Sequence, residues 1–176
     1  MPSTIGFPGP EEYSTFNVTY IELTRGSDII AMLTRQIDEI KNTLGPLSET
    51  QTLFRPAPAE WSIKEVLGHI NDTERIFFYR ALCISRGETQ PLPGFDQDQY
   101  VQGANFDAYS LQELVREFVL IRQAHLISIQ HISGEASLRT GTASNHSISV
   151  RALIHMLAGH VSHHLKSLQT VYLPAL

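Results

Sequence analysis

Two histidines near the C-terminal end of the sequence, His160 and His164, are four residues apart within an apolar pattern. On a helix that turns about 100° per residue, both fall in the same sector as Leu157 and Leu168. Side chains at this spacing have Cβ atoms about 5–6 Å apart, so both imidazoles could reach one ion at a Zn–N distance of about 2.0–2.1 Å. The spacing fits a shared metal site, and equally two core histidines that form separate hydrogen bonds.

The neighbouring histidines occupy other positions on this helix. His163 lies to one side of the apolar sector, and His155 points almost opposite to it. Two polar rings buried side by side cost free energy unless each finds a partner. One divalent cation would satisfy both His160 and His164, which is the physical reason for favouring a metal there.

A third ligand must come from another helix, since a site with two ligands is weak. His69 is the best candidate because it lies at the edge of the apolar face of a predicted second helix. His125, on the inner face of a predicted third helix, is the rival. A buried histidine hydrogen-bonded across a bundle is the more common outcome at such a position.

Start and stop signals divide most of the sequence into four long helices. The first helix begins at Ser27 or Asp28, either of which can cap it, and Gly45-Pro46 ends it. The fourth helix extends over about residues 150–172 and stops before Pro174. Several helices of this length predict an all-α fold, a four-helix bundle with long crossover loops.

The second and third helices share a stronger start signal. Each begins with a Ser-x-x-Glu capping box flanked by the two apolar positions of a hydrophobic staple, with the boxes at Ser62–Glu65 and Ser110–Glu113. Residues 95–109 are predicted to form a long ordered loop, and residues 134–149 a turn-rich connection without convincing strand alternation. Residues 1–26 are predicted to be an irregular arm packed on the bundle of residues 27–176.

Composition restricts the classes of function. The chain of 176 residues fits one domain. Its net charge of -5 lacks the basic surface that phosphate binding requires, so nucleic acid is not an expected partner. No apolar run approaches the roughly 18 residues of a membrane span, and the N-terminus lacks the pattern of a signal peptide. With a single cysteine, these features predict a cytoplasmic protein that does not contact membranes.

Three motifs resemble the DinB-like family, also called the DinB/YfiT-like metalloenzymes. Residues 61–75 (WSIKEVLGHINDTER) resemble the family's second-helix motif, in which a histidine is followed shortly by Asp-x-Glu. Residues 95–100 (FDQDQY) resemble a connecting-loop motif of one bacterial subgroup, and residues 159–164 (GHVSHH) resemble the fourth-helix H-x-x-H-H motif. The similarity extends in the same order from about Tyr13 to Tyr172.

This resemblance implies a four-helix bundle in which His69, His160 and His164 hold a divalent metal ion. It also implies a homodimer, and relatives that are metal-dependent hydrolases, or transferases and isomerases that use low-molecular-weight thiols. Three imidazoles leave a metal position open, as in catalytic sites, and are compatible with Zn, Ni or Fe. We therefore expect a metal-dependent hydrolase or thiol S-transferase that acts on a small molecule. The alternative is a non-catalytic metal-binding or dimerising module.

Glu74 is the candidate catalytic carboxylate. The glutamate of the zinc-protease motif H-E-x-x-H is not encoded here, because Val161 follows the first histidine of the fourth helix. Glu74 projects toward the apolar side of its helix, where a carboxylate needs a partner such as Arg122 or Arg80. A buried ion pair is the favoured interpretation, and a catalytic role is the alternative.

Overall fold

The computed structural model describes residues 5–176. Within them the α-helices are, in chain order, α1 (Val18–Glu22), α2 (Ile29–Leu44), α3 (Glu49–Thr52), α4 (Ile63–Ser85), α5 (Gln97–Ala104), α6 (Leu111–Gln130), α7 (Gly134–Ser137) and α8 (Val150–Ser167). An antiparallel hairpin precedes α8 and consists of β1 (Thr140–Ala143) and β2 (His146–Ser149). Short 3-10 turns lie at Pro10–Glu12, Thr15–Asn17, Phe106–Ala108 and Leu173–Ala175, and a π-helical turn at Leu168–Tyr172.

The long helices α2, α4, α6 and α8 form a four-helix bundle, which confirms the predicted fold class. Helices α2 and α4 each pack against both α6 and α8. This pattern places α2 opposite α4, and α6 opposite α8. Two of the three connections between long helices, from α2 to α4 and from α6 to α8, therefore cross a diagonal of the bundle.

The start signals predicted for the first three long helices have the expected geometry, and the fourth also has a cap. Ser62 accepts a hydrogen bond from the Glu65 amide while the Glu65 carboxylate accepts one from the Ser62 amide, and the box at residues 110–113 does the same. Asp28 caps α2 and Ser149 caps α8. These caps satisfy amide groups that have no partner within a helix, so they fix where each long helix begins.

Two segments that were predicted as a loop and a turn-rich connection contain regular structure. The predicted loop over residues 95–109 includes helix α5, which begins after Asp96 and ends at Asn105, a residue in left-handed conformation (φ 54°). Only Val101 of α5 is buried, so the helix shows almost no apolar periodicity. The connection over residues 134–149 contains the β1–β2 hairpin, whose four-residue strands are too short to show alternation.

The N-terminal segment is tied to α8. Residues 1–4 of the predicted arm lie outside the described residues, and residues 5–26 contain two 3-10 turns and helix α1. Thr24 Oγ1 lies 2.7 Å from Nδ1 of His155. Glu12 accepts a hydrogen bond of 2.7 Å from Nε of Arg151. The division into an arm and a bundle at residue 27 stays a prediction.

The apolar core has two parts, separated by a polar layer that crosses all four long helices. One part lies toward the hairpin and includes Leu33, Phe77 and Leu153, and the other lies toward the opposite end and includes Leu67 and Leu165. The layer between them contains the buried polar side chains of Gln36, His69, Thr73, Glu74, Arg122, His125 and His160. Among the helices of residues 5–176, none is long and apolar enough to cross a membrane.

Candidate metal centre

Three histidine side chains from two helices converge in the polar layer: His69 from α4, and His160 and His164 from α8. One ring nitrogen of each lies within 4.8 Å of the others. Nε2 of His160 is 3.0 Å from Nε2 of His69 and 3.1 Å from Nε2 of His164. The structure thus brings together the three residues that the sequence analysis selected.

The cluster is largely shielded from solvent. His69 and His160 are 3% and 4% exposed, and His164 is half-buried. Burial lowers the pKa of His69 to about 4. Burial, with smaller contributions from His69 and His163, lowers the pKa of His164 to about 3. The pKa of His160 is held well below its usual value by burial and by its two partners, so all three imidazoles are neutral near pH 7.

The donor set fits a divalent cation. A neutral imidazole has one N–H and one lone pair, so Nε2 of His160 can act only once, as a donor or as an acceptor. Three Nε2 atoms that face one another therefore cannot all be satisfied by hydrogen bonds within the cluster. Tetrahedral coordination at a Zn–N distance of about 2.0–2.1 Å separates its nitrogen ligands by about 3.3 Å, which is close to the two distances observed.

Several contacts around the cluster were not predicted from the sequence. Thr73 Oγ1 lies 3.5 Å from Nδ1 of His69, one helical turn earlier. The Trp61 ring lies against His69, with centroids 4.8 Å apart. Tyr20 of α1 meets the His160 ring edge-on at 5.4 Å. Thr73 follows from i,i+4 spacing on α4, whereas no sequence signal links Tyr20 to α8.

The other predicted histidines lie elsewhere. His125, the rival third ligand, is outside the cluster, with its Nδ1 3.1 Å from a carboxylate oxygen of Glu74 and its ring stacked on Phe78 at 3.8 Å. His163 is exposed and meets Tyr20 edge-on. This arrangement agrees with the helical positions deduced for His160, His163 and His164.

Glu74 forms an ion pair with Arg122, the first of the two partners considered for it. Arg122 Nε and Nη2 donate to the two carboxylate oxygens at 2.7 and 2.8 Å, and both side chains are buried. Burial alone would raise the pKa of Glu74, but the Arg122 charge and the hydrogen bond with His125 outweigh it and lower that pKa. Glu74 is therefore an ionised carboxylate whose two oxygens are both occupied.

A cavity of about 740 Å³ lies beside His69 and His160. Its walls come from α4, α8, the segment at residues 14–20, the loop at residues 94–97 and the hairpin. Phe77 and Phe95 supply aromatic surface, and Arg80 and Ser144 supply polar groups. A cavity of this size accommodates a small organic molecule, with part of the histidine cluster in its wall.

Comparisons with known proteins agree with this architecture. The family model of the DinB superfamily matches residues 32–168, from within α2 to the end of α8. The structure is similar to that of YfiT from Bacillus subtilis, with a TM-score of 0.77 and 12% identity over 99% of this chain and 97% of that chain. YfiT is described as a probable metal-dependent hydrolase with an unusual four-helix bundle topology.

A search of curated proteins found no sequence that matches this chain. The family model nevertheless covers all of the bundle except its first turn, together with all three clustered histidines. The chain belongs to the DinB superfamily.

Proposed function

We propose that this protein is a metal-dependent enzyme that acts on a small molecule, with His69, His160 and His164 as the metal ligands. The observation that carries this proposal is the convergence of three neutral imidazoles, with no acidic side chain among them, beside a cavity of about 740 Å³. The description of YfiT as a probable metal-dependent hydrolase supports water as the attacking group. A low-molecular-weight thiol, and a transferase activity, are the alternative.

The residues of the chain have separable roles in this proposal. His69, His160 and His164 would hold the divalent ion, which would lower the pKa of a bound water toward 7 or favour the thiolate of a thiol. Thr73 Oγ1 lies 3.5 Å from Nδ1 of His69 and can accept from an Nδ1–H, the tautomer that directs the Nε2 lone pair at the cluster. Tyr20 and Phe77 pack against His160 and exclude water from its buried side.

The catalytic assignment of Glu74 stays a prediction, and its contacts support the alternative of a structural ion pair. Both carboxylate oxygens accept from Arg122, and Glu74 is absent from the lining of the cavity. A general base must reach the proton that it removes. We therefore propose that Glu74 positions α4 against α6. Homodimerisation, which the resemblance implies, stays a prediction.

Metal analysis of the protein, purified without a histidine tag, tests the proposed function. We expect near-stoichiometric Zn, Ni or Fe in the wild type and its loss in His160→Ala and His164→Ala. His163→Ala is the matched control, because His163 is adjacent but exposed, and it should retain the metal. Trp61, the one tryptophan of the sequence, lies against His69, so its fluorescence should change when the metal binds.

A wild-type protein that neither contains nor binds Zn, Ni or Fe would contradict the proposal. The three histidines would then be polar core residues of a non-catalytic bundle. If metal binds but exchanges no water or thiol, the site is structural, and the alternative of a metal-binding module is correct.

A further inference from the structure

Arg80 is a buried cation in the wall of the cavity. It lies on α4 about three turns after His69 and therefore on the same face of that helix. Only 5% of Arg80 is exposed. Its Nη2 donates to the Pro93 carbonyl at 2.7 Å and to Ser144 Oγ at 3.0 Å. The guanidinium is thereby held between α4, the loop that follows it and the hairpin.

Arg80 has no acidic partner within residues 5–176, in contrast to Arg122. Arg122, the other buried arginine in that range, is paired with Glu74. The groups around Arg80 are a carbonyl, a hydroxyl and the rings of Phe77 and Phe95, whose centroids are 6.0 and 5.9 Å from its Cζ. A guanidinium without a counter-charge is costly to bury, and these neutral contacts offset only part of that cost.

The one acidic residue among the described residues that line the cavity already accepts hydrogen bonds. Asp96 lines the same cavity, but one of its oxygens accepts the amides of Asp98 and Gln99 at 3.0 and 3.1 Å, and the other accepts from the Gln99 side chain at 3.3 Å. Asp96 thus caps α5. In the described structure, the N–H groups on Nε and Nη1 of Arg80 donate to no protein acceptor, and Arg80 lines the cavity.

We propose that Arg80 binds an anionic group of the molecule that occupies this cavity. The inference rests on the proposed function, because it concerns the substrate of that same cavity. Arg80 is the sole lysine or arginine among the described residues that line the cavity, so the group carries a single negative charge, as a carboxylate or sulfonate does. Phe77, Phe95 and Tyr20 line the same cavity as His69 and His160, so they offer aromatic surface to the rest of the molecule.

A matched pair of probes tests the charge preference: 4-phenylbutyrate and its neutral amide, 4-phenylbutyramide. Binding is measured by isothermal titration calorimetry on chelator-treated, metal-free protein, so that coordination of the carboxylate to a metal does not contribute. We expect the wild type to bind the acid at least tenfold more tightly than the amide, because a charge-assisted hydrogen bond to a buried guanidinium is strong.

Three variants separate anion binding from the structural role of Arg80. Arg80→Gln should abolish the preference for the acid. Arg80→Lys should still bind the acid several-fold more tightly than the amide. Ser144→Ala removes a hydrogen-bond acceptor of Arg80 but keeps the charge, so it should retain the full preference. If the thermal melt shows that Arg80→Gln does not fold, Arg80→Lys and Ser144→Ala are compared with the wild type instead. A preference for the acid that is reduced in Arg80→Lys and unchanged in Ser144→Ala then supports anion binding by Arg80.

Equal binding of acid and amide by the wild type, or no measurable binding of the acid, overturns the proposal, as does a preference that persists in Arg80→Gln. Metal analysis of the wild type keeps the two proposals distinguishable, and His164→Ala, which should lose the metal, should keep the preference for the acid. A wild-type protein that binds no metal but keeps the preference for the acid contradicts only the metal site. A loaded metal site with no preference for the acid contradicts only the role of Arg80.

Discussion

Two buried polar clusters occupy the same layer of the bundle, and they differ in whether their hydrogen bonds are complete. In the ionic cluster, Arg122 donates to both oxygens of Glu74, to the Leu33 carbonyl at 3.1 Å and to Gln36 Oε1 at 2.8 Å. In the histidine cluster, three neutral rings direct Nε2 atoms at one another. The hydrogen bonds of the first cluster are satisfied by the chain alone, whereas those of the second cannot all be formed among its three rings.

The ionic cluster also connects the four long helices. Gln36 continues the network by donating to the Ala158 carbonyl at 2.7 Å and to Ser162 Oγ at 3.0 Å. These two residues flank His160 in α8, and Glu74 lies little more than one turn after His69 in α4. The closed network therefore fixes the register of α4 against α8, and this register is what brings the three histidines together.

The largest expected effect on stability comes from removing Arg122 from the ionic cluster. Arg122→Met leaves the Glu74 carboxylate buried without its counter-charge, so we expect the free energy of unfolding to fall by about 3–5 kcal/mol, measured by urea denaturation. Arg75→Met is the control: Arg75 pairs with Glu117 on the surface, and its loss should cost no more than about 1 kcal/mol. Similar costs for the two variants would show that the buried pair is not a structural link.

The complementary change is made in the histidine cluster. His160→Leu removes a ring whose polar atoms are not fully satisfied, so it should cost the metal-free protein far less than Arg122→Met does. Zinc at about 1,000 times its Kd should raise the free energy of unfolding of the wild type by about 4 kcal/mol and leave His160→Leu unchanged. Thermal melts with and without zinc check this, and a variant that zinc stabilises equally would contradict it.

Much of this arrangement follows from local signals in the sequence. The capping box at Ser62–Glu65 involves residues three apart, and the pairing of His160 with His164 depends on one helical turn, so both could be predicted. The choice between Arg122 and Arg80 as the partner of Glu74 could not, because it depends on how α6 packs against α4. The position of Tyr20 over His160 likewise depends on contacts between segments about 140 residues apart, which no spacing encodes.

A third buried polar group, His155, makes stability depend on pH. Thr24 Oγ1 donates to the Ile21 carbonyl, so it accepts from Nδ1–H of His155, and burial lowers the pKa of His155 from 6.5 to about 4. Between these pH values the unfolded chain binds the proton and the folded chain does not. Stability contributed by the neutral ring is therefore present above pH 6.5 and is lost as the pH falls toward 4.

The expected loss from His155 is on the order of 3 kcal/mol across that interval. His155→Gln removes the titrating ring, so its stability should decrease less steeply than that of the wild type between pH 6.5 and 4. Urea denaturation at several pH values measures both slopes in metal-free protein. Parallel slopes would show that His155 is protonated in the folded state without penalty.

The smallest expected effect tests whether metal binding by the histidine cluster depends on α1, which packs against His160 through Tyr20. Gly159 precedes His160, and a Cβ atom at this position would lie 1.9 Å from the Tyr20 carbonyl oxygen. Gly159→Ala must therefore displace α1 from α8, at a cost of about 1–3 kcal/mol, and should weaken zinc binding because Tyr20 no longer packs against His160.

Gly103→Ala is the control, since a Cβ there meets no atom within 4 Å, and it should be neutral or slightly stabilising because alanine favours a helix. Loss of stability with unchanged zinc affinity in Gly159→Ala would show that α1 supports the bundle but not the geometry of the histidines.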